Sequence, residues 1–281
     1  MPAQILDGKA LATAIRGSIK QTVEKLLASG NRPPCLAVII VGDDPASHIY
    51  VKNKQLACTS TGIISLNYPL PDSTSERDLI ELIHELNANP EVDGILVQLP
   101  LPSHIHSQRI IETIDPKKDV DGFHPYNMGR LMQFNPALRP CTPYGVIELL
   151  RANHINLIGR ECVVVGASNI VGKPMAAELL MAKGTVTVCQ SATRQLQGHI
   201  SRADLLVTAI GKTGVIDPNW IKADAVVVDV GMNRVNGHLC GDLDFQPTFE
   251  RASWITPVPG GVGPMTVAML LKNTLQSYSN R

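Results

Sequence analysis

The feature that most constrains the fold is a short apolar run that ends at a glycine and leads into a helix-forming segment. Residues 162–165 are four apolar residues, three of them β-branched, which is typical of a strand buried on both faces of a parallel sheet. The run ends at Gly166, and residues 175–182 (MAAELLMA) favour a helix. The sequence therefore predicts a central strand joined to a helix by a glycine-containing turn.

A turn of this kind is suited to an anion. The first turn of a helix has unpaired backbone N–H groups and the positive end of the helix dipole, which together favour a phosphate. The spacing departs from G-x-G-x-x-G because Ser168 stands in the second glycine position, so a purely structural turn is the alternative. The candidate phosphate-binding residues are Gly166, Ala167, Ser168, Ile170, Val171 and Gly172.

Three further apolar runs follow this turn. Residues 185–189, 204–210 and 225–230 are predicted to be short buried strands, and Gly211 and Gly231 end the last two. Strands that alternate with helices predict a Rossmann-like, doubly wound parallel sheet. Ligands bind beyond the carboxyl ends of such strands, so Gly211 and Gly231 are further candidate cofactor-binding residues.

The segment after residues 185–189 bears on which dinucleotide would bind. NAD-binding folds usually place an acid here for the ribose hydroxyls, and this chain has none. Ser191, Thr193 and Arg194 instead offer hydroxyl donors and a positive charge, which favours NADP as the cofactor. The alternative is that Arg194 is a solvated residue at the start of a helix.

Length and composition exclude several classes of protein. The chain has 281 residues, enough for two domains, and its 25 basic residues equal its 25 acidic ones, so no nucleic-acid partner is expected. There is no apolar run of roughly 18 residues and no signal-like N-terminus, which predicts a cytoplasmic protein without a membrane partner. The six cysteines lack C-x-x-C spacing, and we expect no metal site at His104 and His106.

The N-terminal part of the chain has the same alternation of elements. Residues 46–61 are predicted to form a helix with Tyr50 and Lys54 on one face, and Gln98 lies near the carboxyl end of a predicted strand over 94–99. Asp121 falls in a charged segment, 115–123, which is predicted to be a surface or cleft loop. The other predicted elements are helices over 9–28 and after Ser75, and strands over 35–41 and 63–66.

The C-terminal part contains the predicted domain boundaries. Thr142 followed by a proline predicts a helix start, and Asn236-Gly237 predicts a tight hairpin turn. A final helix over 264–278 is predicted to return to the first domain. We therefore expect an α/β protein with two domains, an N-terminal α/β substrate and catalytic domain over 1–140 plus 264–281, and the Rossmann-like domain over 141–263.

Four motifs carry a family resemblance: Tyr50-x-x-x-Lys54, VQLPLP at 97–102, DVDGF at 119–123 and PVPGGVGPMT at 257–266. Over nearly its whole length the chain resembles the bifunctional methylenetetrahydrofolate dehydrogenase/methenyltetrahydrofolate cyclohydrolase family. The resemblance implies a homodimer that acts on tetrahydrofolate derivatives in one-carbon metabolism and purine biosynthesis. It implies hydride transfer from 5,10-methylenetetrahydrofolate to NADP+, followed by hydrolysis of the methenyl product to 10-formyltetrahydrofolate.

The resemblance also implies roles for individual residues. Lys54 would exchange the protons of the hydrolysis, with Gln98 as a neutral partner that orients the amine without fixing it as ammonium. Tyr50 would stack on the aminobenzoyl ring, and Asp121 would accept the two neighbouring N–H donors of the pterin. The further substrate-binding residues implied are Leu99, Pro257, Gly260 and Gly261.

The chain departs from the family pattern in its cofactor half. Many members have G-R-S where this chain has Gly166-Ala167-Ser168, and H-S-R-T where it has residues 190–193, QSAT. Both changes remove positive charge, so the preference for NADP depends on Arg194. The alternative functions are a dehydrogenase without cyclohydrolase activity, another two-domain nicotinamide-dependent dehydrogenase, and a non-catalytic dinucleotide-binding protein.

Overall fold

The computed structural model describes residues 2–280, with the backbone but not the side chains of residues 45–50. Two compact units are distinguished by their internal contacts. The six-stranded unit consists of Met1–Ala12 and Thr142–Thr266, and the three-stranded unit consists of Thr13–Cys141 and Val267–Arg281. The helices are α1 Gly8–Ala28, α2 Pro45–Thr61, α3 Glu76–Ala88, α4 Ser107–Thr113, α5 Pro125–Met132, α6 Cys141–Ala152, α7 Gly172–Met181, α8 Leu196–Ile200, α9 Phe245–Arg251 and α10 Val262–Ser279.

The strands belong to separate sheets in the two units. The strands are β1 Gln4–Ile5, β2 Cys35–Val41, β3 Ile64–Leu70, β4 Gly94–Val97, β5 Glu161–Val165, β6 Thr185–Cys189, β7 Leu205–Thr208, β8 Val226–Asp229, β9 Asn233–Val235, β10 His238–Cys240 and β11 Trp254–Ile255. The six-stranded unit contains the parallel sheet β1-β11-β8-β7-β5-β6, and the three-stranded unit contains the parallel sheet β3-β2-β4. Within the described residues, no helix is both long and apolar enough to cross a bilayer.

The larger sheet is covered by apolar side chains on both faces. Along β5, Cys162 and Val164 pack into one cluster of buried residues, while Val163 and Val165 pack into another. A strand that buries successive side chains on opposite faces has to be apolar throughout, which explains the uninterrupted run that the sequence shows. The predicted doubly wound parallel sheet is therefore confirmed.

The smaller sheet has β2 at its centre. All seven residues of β2 are buried, and the strand pairs with β3 on one side and β4 on the other. The apolar face of α3, formed by Leu79, Ile83 and Leu86, packs against this sheet. Helix α3 begins at the predicted cap, where the Ser75 hydroxyl accepts a hydrogen bond from the Asp78 N–H at 3.1 Å.

The predicted C-terminal helix is also confirmed. Helix α10 begins in the six-stranded unit, and its residues from Val267 onward belong to the three-stranded unit. The first residues of the chain belong instead to the six-stranded unit, because Gln4 and Ile5 pair with Trp254 and Ile255 of the larger sheet. This grouping differs from the predicted boundary, which placed residues 1–140 together. The functional division of the chain stays a prediction.

The prediction of an unpacked loop over 115–123 is wrong. Asp119 is 2% exposed and Lys118 is 8% exposed. The Lys118 Nζ atom donates to the carbonyl oxygens of Leu86, Asn87 and Asn89 at 2.7–2.9 Å. A charged side chain is tolerated in the interior when its donors are all satisfied, and here they cap the end of α3.

Two local predictions also differ from the structure. Helix α6 begins at Cys141, so Thr142 lies inside the helix and is not its cap. The strand over 185–189 has the predicted limits, but as β6 it forms the edge of the sheet and is largely accessible. An apolar run of five residues does not reveal whether the strand has one neighbour or two.

Two glycines of α1 allow a matched test of how closely the start of this helix packs against Gly261. A Cβ atom at Gly8 would collide with the carbonyl oxygen of Gly261, whereas a Cβ atom at Gly17 has nothing within 4 Å. We expect Gly8→Ala to lower the free energy of unfolding by about 1–3 kcal/mol through overpacking. Gly17→Ala should raise it by roughly 0.5–1 kcal/mol through helix propensity. Urea denaturation measures both, and similar values for the two variants would contradict the contact.

Candidate active site

Lys54 and Gln98 are brought together from different elements. Lys54 lies on α2 and is 8% exposed, and Gln98 directly follows β4. The Lys54 Nζ atom donates to Gln98 Oε1 at 3.0 Å, and Gln98 Nε2 donates to the carbonyl oxygen of Leu99 at 2.7 Å. Because the amide nitrogen is held by Leu99, the amide oxygen is directed at the lysine. The predicted pairing of an amine with a neutral partner is present.

The side chain of Tyr50 lies outside the described residues. Its backbone belongs to α2, one helical turn before Lys54. Its predicted role in stacking on the substrate therefore stays a prediction.

Asp121 lies near the Lys54 ammonium group. Burial raises the pKa of Asp121 to about 6, the Lys54 charge lowers that pKa, the neighbouring Asp119 raises it, and a hydrogen bond with the Cys141 thiol lowers it. Part of the residue is accessible, but the carboxyl group is enclosed by protein. Among the described residues, Lys54 and Asp121 do not form a salt bridge, so the lysine retains donors for another partner.

Asp119 was not a candidate at the level of sequence, yet it organises the loop that carries Asp121. Its Oδ2 atom accepts from the His124 N–H at 2.8 Å and from Asn127 Nδ2 at 2.9 Å. Burial raises the pKa of Asp119, and these hydrogen bonds oppose that rise. The DVDGF motif thus contains Asp119, which holds the loop, and Asp121, whose pKa is lowered by the Lys54 charge. The family motif singled out Asp121, but no local signal in the sequence indicated the role of Asp119.

The Pro/Gly loop over 257–261 is held within the six-stranded unit. The Gly261 N–H donates to the Pro257 carbonyl oxygen at 2.8 Å, and the Lys9 N–H donates to the Gly260 carbonyl oxygen at 2.9 Å. Gly260 has a φ of 111°, which favours glycine. The loop therefore has a fixed backbone close to the start of α1. The predicted contact of Pro257, Gly260 and Gly261 with substrate stays a prediction.

The turn after β5 joins that strand to helix α7 as predicted, and its role in binding an anion stays a prediction. Ser168 Oγ accepts from the N–H groups of Val171 at 3.2 Å and Gly172 at 3.4 Å, so this hydroxyl closes the turn. A Cβ atom at Gly172 would collide with the carbonyl oxygen of Gly166. Gly166 itself has a φ of 128°. The turn is tight, and Ala167, Ser168 and Ile170 lie on its accessible side before the N-terminus of α7.

The predicted determinants of cofactor choice lie beyond the edge strand β6. Ser191 and Arg194 are exposed, and the Gln190 N–H donates to Thr193 Oγ1 at 2.8 Å, which folds the segment into a turn. Among the described residues, the Arg194 guanidinium group makes no ion pair. A positive charge is therefore available at the position where the sequence predicts recognition of a 2′-phosphate.

Two buried acids that sequence reasoning missed hold the loops at Gly211 and Gly231. Asp242 accepts from the N–H groups of Ile210, Gly211 and Lys212 at 2.7–3.2 Å. Asp229 accepts from the Gly231 N–H at 2.9 Å. The N–H groups of Gly211 and Gly231 are already satisfied. Asp242 fills the space beside Gly231, whereas nothing lies within 4 Å of a Cβ atom at Gly211, so only Gly211 leaves open surface for a cofactor. Within the described residues, no cluster of His, Cys, Asp or Glu could hold a metal ion.

The raised pKa of Asp121 predicts a pH-dependent stability. A folded pKa of about 6, against the ordinary 3.8, means that the folded state binds this proton more tightly than the unfolded state does. The resulting stabilisation is present below the unfolded pKa and is lost as the pH rises through about 6. We expect a loss of about 3 kcal/mol for a shift of this size.

Urea denaturation of wild type and Asp121→Asn between pH 3 and pH 8 tests this expectation. The variant should lack the loss, because it has no proton to release. The exposed Asp72→Asn should retain the wild-type profile. Parallel curves for wild type and Asp121→Asn would refute the assignment of the raised pKa.

Two family models match the chain. Residues 6–121 match the catalytic domain of tetrahydrofolate dehydrogenase/cyclohydrolase, and residues 140–281 match its NAD(P)-binding domain. The chain is 58% identical to the bifunctional protein FolD of Methylobacillus flagellatus, over 98% of this chain and 96% of that protein.

Solved structures agree with these matches. The bifunctional FolD of Campylobacter jejuni is 48% identical, with a TM-score of 0.97 over 99% of both chains. The Trypanosoma brucei FolD, determined with NADP and an inhibitor, is 38% identical, with a TM-score of 0.96 over 100% of this chain and 98% of that one. The chain therefore belongs to the tetrahydrofolate dehydrogenase/cyclohydrolase family.

Proposed function

We propose that the protein oxidises 5,10-methylenetetrahydrofolate with NADP+ and hydrolyses the methenyl product to 10-formyltetrahydrofolate. The observation that carries this proposal is the partly buried hydrogen bond of 3.0 Å between Lys54 and Gln98, near enough to Asp121 for the Lys54 charge to lower the pKa of that carboxyl group. It supplies a titratable amine, a neutral orienting group and an acid in one place. Both reactions of the family need a folate to be held there, and the hydrolysis also needs proton exchange.

The oxidation mainly requires that the folate be positioned against the nicotinamide. The carbon that bridges two nitrogens of the folate loses a hydride, and the nitrogen lone pairs stabilise the cation that forms, so no strong base is required. NADP+, when bound, supplies the hydride acceptor. The residues that would hold it are those of the turn at Gly166 to Gly172 and of the segment after β6. Their tight backbone and exposed hydroxyl groups fit a phosphate-bearing ligand.

The hydrolysis asks for a proton carrier. Water attacks the methenyl carbon, one proton of that water is transferred to the folate nitrogen whose bond to this carbon breaks, and the other proton is released. Lys54 is the candidate for this transfer because its amine is almost fully enclosed. Gln98 accepts one of its protons in a hydrogen bond without the charge of a carboxylate, so the amine is oriented and can still release a proton.

Asp121 is proposed to bind the pterin. A carboxylate with two oxygens matches the amino group and the ring N–H of a pterin, which present two donors side by side. With a pKa of about 6, the side chain is mostly ionised at neutral pH and accepts both bonds. Below about pH 6 it becomes protonated, and one acceptor is lost.

We also propose that the protein is a cytoplasmic homodimer. All six cysteines are free thiols, which suits a reducing compartment.

Strand β3 is a seven-residue edge strand, and among the described strands it pairs only with β2. An edge of this length has unpaired backbone groups that a second copy can cover.

Replacement of Lys54 tests its role in proton exchange. We expect Lys54→Met to lower the rate of hydrolysis by about 10²-fold or more, because the proton carrier is lost, while methenyl product and NADPH still form. The measurement is absorbance of the enzyme with 5,10-methylenetetrahydrofolate and NADP+, following both products together. Lys52→Met, an exposed lysine on the same helix, is the control and should behave as wild type. Equal losses of folate binding and hydrolysis would instead assign Lys54 to docking.

Replacement of Arg194 tests the choice of cofactor. A charge-assisted contact is worth roughly 1.5–3 kcal/mol, so Arg194→Ala should lower the ratio of kcat/KM for NADP+ over NAD+ by about 10- to 100-fold. Arg234→Ala, which removes an exposed arginine from the β9–β10 hairpin, should leave the ratio unchanged. A wild-type ratio below one would contradict the NADP preference. An unchanged ratio in Arg194→Ala would assign the recognition to other residues.

A further inference from the structure

Helix α10 has two buried polar side chains on one face. Asn273 is fully buried and Ser277 is 5% exposed, and residues four apart on a helix lie above one another. Neither position was a candidate at the level of sequence, where the helix was predicted only to return to the first domain. Buried polar groups in a helix that packs on a core require an explanation, since each carries a desolvation cost.

The two side chains are bonded to loop backbone. Asn273 Nδ2 donates to the carbonyl oxygens of Val120 and Arg139, both at 2.8 Å. One turn later, the single hydroxyl proton of Ser277 is shared between the carbonyl oxygens of Asp93 at 2.6 Å and Lys117 at 2.7 Å. Both side chains thus hold the loop over 115–122, which otherwise pairs with β4 only through an isolated bridge between Asp119 and Ile95.

Within the part of the chain that the structure describes, only the nitrogen of the Asn273 amide group forms hydrogen bonds. Its Oδ1 atom is buried and has no hydrogen-bond partner among the described residues. An unpaired buried acceptor costs free energy, so an apolar residue would be preferred here if the side chain only filled space. The nitrogen side explains its presence, because an apolar replacement would remove the amide donor from the carbonyl groups of Val120 and Arg139.

These contacts fix the backbone on both sides of Asp121. Val120 is held by Asn273 and also accepts from the Cys141 thiol at 3.2 Å. On the other side, a Cβ atom at Gly122 would collide with the backbone of Arg139, so the loop runs directly against that segment. The same segment is bonded to Asn273 through the carbonyl oxygen of Arg139.

We propose that Asn273 is a positioning residue for Asp121 and that Ser277 is a second anchor of the same loop. The proposal rests on the proposed function, in which Asp121 binds the pterin. Asn273 touches neither reacting atoms nor substrate. It acts by holding the Asp121 carboxyl group where two hydrogen bonds to a planar ligand can form together, since a small displacement breaks such a paired contact.

A double-mutant cycle tests this role. In the wild-type background, Asn273→Leu should raise the KM for 5,10-methylenetetrahydrofolate by about tenfold, with kcat and the KM for NADP+ changed less than about twofold. In the Asp121→Asn background, the same substitution should change the folate KM by less than about twofold, because the paired contact is already lost. Thr274→Val is the matched control, since Thr274 is equally buried and its hydroxyl group donates only to Leu270 of its own helix.

The possible outcomes separate the role of Asp121 from the positioning role of Asn273 and from general packing of α10. If Asp121→Asn alone leaves the folate KM unchanged, the proposed role of Asp121 fails. If Asp121→Asn is defective but Asn273→Leu has the same effect in both backgrounds, only the positioning role is overturned. If Thr274→Val raises the folate KM as much as Asn273→Leu does, the effect belongs to general packing of α10 and the proposal is also overturned. Should Asn273→Leu not fold, Ser277→Ala enters the same cycle with the same expectations.

Discussion

Backbone groups that are buried outside helices and strands still have to form hydrogen bonds, and polar side chains meet this demand in both units. In the six-stranded unit, Asp229 and Asp242 accept from the amides of the loops that follow β7 and β8. In the three-stranded unit, Asp119 accepts from loop amides and Asn273 donates to loop carbonyl groups. The loops at the carboxyl ends of these strands are therefore held by specific hydrogen bonds with buried side chains.

This internal bonding bears on the proposal that a small set of side chains binds a flat, polar ligand. Lys54 and Gln98 extend from a helix and the end of a strand, while Asp121 extends from a loop whose neighbours are buried and bonded. Residues fixed in this way lose little conformational freedom when a ligand binds, so more of the contact energy appears as affinity or orientation. The apolar clusters of the core stabilise the fold, and the buried polar side chains determine the geometry of the loops that carry the candidate site residues.

Much of the fold could be predicted because its strands are continuous apolar runs and its caps and turns use characteristic residues. The limits of β2 and β6, the Ser75 cap and the Asn236-Gly237 hairpin were all predicted correctly. Helices α4 and α5 were missed because they are short and depend on tertiary contacts. The loop carrying Asp121 was assigned to the surface or a cleft because charge density indicates exposure, whereas Lys118 is satisfied by distant backbone carbonyl groups and Asp119 by nearby N–H groups. Lys54, Gln98 and Asp121 were found through motifs, but Asp119, Asp242 and Asn273 have no local signal.

The division of α10 between the units has a consequence for the order in which the protein can be completed. Residues from Val267 onward belong to the three-stranded unit, most of which is encoded much earlier in the chain. During synthesis, the six-stranded unit has all of its residues before the ribosome reaches Asn273. The three-stranded unit, whose main part is synthesised earlier, is therefore finished last, and until then the carbonyl groups of Val120 and Arg139 lack the Asn273 amide that donates to them in the folded chain. A nascent chain can thus form its sheets before Asp121 acquires its final geometry.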